Sequence, residues 1–127
     1  MTQQKYNLPG NDGKPVTKTL ALPGTKRIKN FLKCFGFDSL EAMMSKKGLE
    51  DYSKKRFDVA LDAKKLRDIL DICLVENASG VQLDDIEDLR PYDDVIQDFF
   101  EQRAQNIRER LNSLPNSENL QLTQTKQ

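Results

Sequence analysis

The stretch V81-Q-L-D-D-I-E-D-L-R-P-Y-D-D-V95 gathers six carboxylates, Asp84, Asp85, Glu87, Asp88, Asp93 and Asp94, within fifteen residues, and only Arg90 opposes them. Acids at this density can ligate a hard cation, share a proton in acid–base chemistry, or stand at the positive ends of helices. An EF-hand loop needs oxygen ligands at alternate positions, a glycine at the sixth and a glutamate at the twelfth. Counted from Asp84, those two positions are Leu89 and Val95. The chain has no histidine, and its two cysteines, Cys34 and Cys73, match no zinc spacing. No metal site is expected.

The other routes to catalysis are equally bare. There is no Gly-rich phosphate loop, no Gly-x-Ser-x-Gly elbow and no histidine to serve as base. Carboxylates abound, but abundance does not pair them across a cleft. The sequence therefore predicts no catalytic residue, no cofactor and no enzyme.

Helix starts account for the acids instead. Asp84 and Asp85 stand where a short helix through Ile86 and Leu89 would begin, and Asp93 and Asp94 fall in the first turn of a last helix opened by Pro91. There the macrodipole favours each carboxylate by about 0.3–1 kcal/mol. That last helix, from Pro91 to Asn112, carries Val95, Ile96, Phe99, Phe100, Ile107 and Leu111. Its apolar set thins after Phe100, so the distal half is expected to project, with Phe99, Arg103 and Ile107 either binding a partner or packing on the preceding helices.

The elements ahead of it read in order. Residues 5–22 form two extended runs around Asn11-Asp12-Gly13, a short irregular β-hairpin, and Pro9 and Pro15 keep it at an edge. Thr25 caps a helix whose apolar residues Ile28, Phe31, Leu32 and Phe35 recur at helical spacing until Gly36, with Lys26, Arg27, Lys29 and Lys33 outside. Asp38-Ser39-Leu40-Glu41 opens a short helix through Met43 and Met44 that ends near Gly48. Phe57, Val59 and Leu61 alternate like a short strand, while a helical turn over 49–55 fits as well. Asp62 caps a helix from Ala63 to Glu76 with the stripe Leu66, Ile69, Leu70, Cys73 and Leu74. The fold class is mainly α: four to five helices (25–112), an N-terminal hairpin segment (1–24) and a disordered polar tail (113–127). Both cysteines sit in apolar helical patterns and read as buried free thiols.

Net charge is zero, yet residues 1–67 carry 15 Lys or Arg against 7 acids, a net +8, and residues 68–127 carry 5 against 13, a net −8. The halves can attract each other within one fold, or between subunits head to tail. Nucleic-acid binding through Lys26, Arg27, Lys29 and Lys33 with Lys54, Lys55 and Arg56 lacks a recognised motif and is not expected. No run approaches the 18 or so apolar residues of a membrane span, and the N-terminus lacks the apolar run of a secretory signal. A cytoplasmic location is expected.

The order T19-L-A-L22, L66-R-D-I-L-D-I-C-L74, D84-D-I-E-D-L89 and D94-V-I-Q-D-F-F100 resembles the tail assembly chaperones of long-tailed bacteriophages, over roughly residues 5–105. The resemblance implies a small helical protein of the host cytoplasm, absent from the finished virion, that self-associates, coats the tape measure protein and recruits tail tube subunits. It transfers no functional residue, because the family has no ligand or catalytic motif to match. The alternative is a cytoplasmic adaptor that binds one protein partner through its last helix.

Overall fold

The structure is a computed structural model that describes residues 4–112. The tail expected to be disordered, 113–127, lies outside these residues.

Strand β1 (Lys5–Leu8) pairs antiparallel with β2 (Val16–Thr19), Lys5 opposite Thr19 and Leu8 opposite Val16. The hairpin is built as its turn residues predict. Gly13 takes φ 84°, and the Asp12 side chain accepts the Lys14 N–H at 3.0 Å. The ribbon does not stand alone, because Leu20 bridges Leu74 and Gly10 bridges Val81. Glu76 adds a clasp: its carboxylate accepts the Thr19 N–H and hydroxyl at 2.7 Å each, bonds that hold its pKa below the usual glutamate value.

Five helices follow: α1 (Thr25–Cys34), α2 (Leu40–Met44), α3 (Lys46–Val59), α4 (Ala63–Cys73) and α5 (Arg90–Asn112). The N-cap of α1 is Gly24, not Thr25, which is already helical. The helix ends in a Schellman turn, with Gly36 at φ 79° and the Phe37 N–H reaching the Leu32 carbonyl at 2.9 Å. Ser39, one residue past the expected Asp38, caps α2, and Ser45 caps α3. Gly48 therefore lies inside α3, where it lets the helix start press against α2.

The alternation of Phe57, Val59 and Leu61 is not a strand. These residues belong to α3 and the turn after it; Tyr52 and Val59, seven apart on one face, are buried, while Phe57 and Leu61 face solvent. Helix α4 is capped by Asp62 as read, but stops at Cys73 rather than Glu76. Arg27 takes the Ile72 carbonyl at 2.6 Å and the ribbon takes the Cys73 carbonyl, so the chain leaves the helix extended.

The core gathers around Phe31, whose ring lies 5.0 Å from Phe35, 5.3 Å from Phe99 and 6.1 Å from Tyr52. Leu66, Ile69, Leu70 and Cys73 of α4 and Val95, Ile96 and Phe100 of α5 complete it. Burial pushes the Cys73 thiol well up. Cys34, expected inside, is exposed, because it falls beside the buried face of Ile28, Phe31, Leu32 and Phe35.

All three tyrosines use the core as solvent and bond at its edge. Tyr6 donates to Asp98 at 2.6 Å, Tyr92 to the Gln82 carbonyl at 2.6 Å and Tyr52 to Gln97 at 3.3 Å. Desolvation raises every one of these pKa values above 10.0. A raised folded value means the stabilisation is fully present below pH 10 or so and is lost as pH climbs toward the folded values. An alkaline titration of tyrosinate absorbance should therefore show no tyrosine ionising at the ordinary value while the fold stands. Ionisation and loss of the circular dichroism signal should coincide.

Candidate partner-binding surface

Helix α5 is seated by its first four turns. Val95, Ile96, Phe99, Phe100 and Ala104 are buried; Gln102 donates to the Ala21 carbonyl at 3.1 Å and Arg103 to the Pro23 carbonyl at 3.3 Å. Past Ala104 the helix leaves the domain. Ile107 is half-buried and its neighbours Gln105, Asn106 and Arg108 are exposed. An open cavity of about 290 Å³ lies along this end, lined by Arg103, Asn106, Ile107 and Arg110.

The three expected binding residues thus separate. Phe99 is fully buried against Phe31 and cannot touch a partner while the domain is folded. Arg103 straps the helix to the loop before α1, with its Nε buried and unpaired. Ile107 alone stands at the protruding end.

The acidic stretch does not form the expected short helix. Residues 82–89 are irregular, and Asp85 sits at φ 54°, a conformation that interrupts any helix of L-residues. Asp88 is the acid at the start of α5: it accepts the Arg90 N–H at 3.0 Å and pairs with the guanidinium at 2.8 Å, contacts that hold its pKa at about 2. Asp93, in the first turn, binds Arg56 at 2.7 Å, and the same guanidinium reaches Gln97 at 2.9 Å and lies over the Tyr52 ring. Among the described residues this ion pair joins the basic and acidic halves across the fold; Lys64 and Asp68, 3.6 Å apart, join them only within one turn of α4. Among the described residues no three His, Cys, Asp or Glu side chains assemble a metal site.

Two further clefts flank the turn between α3 and α4. One, about 430 Å³, has Phe35, Val59 and Ile69 in its walls and Lys33, Lys55 and Lys65 around it. Lys55 is committed there, donating to the Phe35 carbonyl at 2.8 Å. The other, about 290 Å³, lies between Leu61 and the acidic loop. The chain matches no protein-family model, no curated protein and no solved structure. Function must be argued from these surfaces.

Sequence reasoning missed Arg56 and Leu61. The i, i+4 spacing of Tyr52 and Arg56 was the available signal for the first. For Leu61 there was none, since an apolar residue just past a helix reads as core.

Among the described residues no helix is long and apolar enough to cross a membrane.

Proposed function

We propose that the chain is a non-enzymatic tail assembly chaperone of a long-tailed phage or prophage, acting in the host cytoplasm. It holds the tape measure protein, recruits tail tube subunits, self-associates while doing so and is left behind when the tail is complete. The sequence resemblance supplies the biological setting. The observation that carries partner binding is the apolar line Phe100, Ala104, Ile107 on α5, which runs past the last buried residue of the domain. A protruding helix whose buried apolar line continues past the domain at Ile107 is the donor half of helix-in-groove recognition.

Ile107→Asp tests this reading. The residue packs on no core, so thermal stability should change by no more than about 0.5 kcal/mol. Co-purification with the tape measure protein of the same phage should fall by tenfold or more, as expected when a half-buried aliphatic anchor becomes a charge. Wild-type protein that captures no tape measure protein, or a variant that captures it equally well, would remove the chaperone reading or this surface respectively.

A further inference from the structure

The groove beside Leu61 presents apolar and polar surface to solvent in similar measure, with apolar side chains in its walls and carboxylates beside them. Ala60, Leu61 and Ala63 form one wall, from the end of α3 to the start of α4; Leu83, Ile86 and Leu89 form the other. Leu61 is 81% exposed, the most exposed large apolar side chain among the described residues. Asp84 and Asp85 line the same groove and Glu87 follows in the loop. None of these three carboxylates enters an ion pair among the described residues. An uncovered apolar wall beside uncompensated negative charge defines the complement it lacks: apolar side chains next to cations.

We infer that this groove docks a basic amphipathic helix of another protein. The occupant is helical because the walls are side chains around a helix end, with no strand edge to extend, so recognition falls to apolar residues at i, i+3 and i+4. It is basic because Asp84, Asp85 and Glu87 repel an acidic helix and gain from lysines or arginines. The α5 end of a second copy is a poorer match. Its Arg103 is held by the Pro23 carbonyl, its Arg108 by Glu101 at 3.4 Å, and Glu101 and Glu109 offset the arginines. The groove is also remote from Ile107: from Arg90 to Ile107 α5 rises about 26 Å. The inference stands apart from the phage assignment.

The test is fluorescence anisotropy on the full chain with a labelled synthetic helix carrying leucines at i, i+3, i+4 and i+7 and lysines opposite, and with its glutamate-for-lysine twin. The lysine helix should bind at low salt and the glutamate twin should not. Leu61→Ser, at a solvent-exposed position, should keep the fold and weaken binding by about tenfold or more. The triple change Asp84→Asn, Asp85→Asn, Glu87→Gln should weaken it and flatten its salt dependence. Ile107→Asp should leave it unchanged. No binding of the lysine helix, equal binding of both peptides, or an unaffected Leu61→Ser variant would overturn the inference. Tighter binding of a peptide of this chain's own residues 95–112 would assign the groove to a second copy and overturn it as well.

Discussion

Phe99→Asp should yield no cooperatively folded protein. The ring is completely buried, 5.3 Å from Phe31 and beside Val95, Ile96 and Phe100 in the face that seats α5. Losing a buried phenyl costs about 3–5 kcal/mol. A carboxylate in its place, desolvated among the core rings, adds several kcal/mol more. Together these reach the total stability of an ordinary domain, about 5–15 kcal/mol. Circular dichroism in a urea series should show no unfolding transition, while Phe99→Leu, which keeps an apolar side chain of smaller volume, should retain one at lower urea. A folded Phe99→Asp chain would mean that α5 is not the core element described above.

Gly48→Ala should be among the most damaging single-methyl changes in the described residues. A Cβ there would run into the Ala42 carbonyl oxygen and lie 2.6 Å from the Met43 carbonyl oxygen. Both are backbone atoms of α2, pinned because Ser45 accepts the Gly48 N–H at 3.0 Å and donates to the Ala42 carbonyl at 2.8 Å. No rotamer can relieve the collision, so α2 must move, dragging fully buried Met43 from the core. The expected loss is about 3 kcal/mol, or roughly 10 °C or more in melting temperature. Gly24→Ala is the control: at φ −65° and with nothing within 4 Å of the added carbon, it meets no collision and should cost only the loss of a glycine N-cap, about 1 kcal/mol or less.

The contrast between Phe99 and Ile107 shows where the sequence stops being legible. Phe99, Arg103 and Ile107 share one face of a helix by spacing alone, and that much is true. Where the domain beneath the helix ends is a property of the ribbon and of the Pro23 loop, and periodicity within α5 carries no record of it. Helix α4 was readable because its stripe, its Asp62 cap and its burial agree. Its end was not, because the competitor for residues 74–76 is the strand pairing of Leu20, more than fifty positions away. The loop at 82–89 misled in another way. Its acids suit a helix start, but Asp85 in the left-handed region and Leu83 drawn into the core leave no room for a turn. Phe57 and Leu61 misled most: they resemble the inward side of a strand and are the outward side of a helix and its turn. Apolar residues that serve a surface look, in one dimension, like residues that serve a core.

The ribbon has a consequence for how the chain comes into being. Its amides and side chains are satisfied by residues made much later: Ala21 by Cys73, Asn11 by Gly80, the Pro9 carbonyl by Gln82, Tyr6 by Asp98, and the Ala21 carbonyl by Gln102. On the ribosome the ribbon is thus synthesised early and placed late. Until α4 and the first turns of α5 have emerged, Leu8 and Leu20 have nothing to pack against, and closing those distant pairs sets the pace of folding. The N-terminal segment acts as the latch of the domain, and it can shut only when nearly everything else is already in the room.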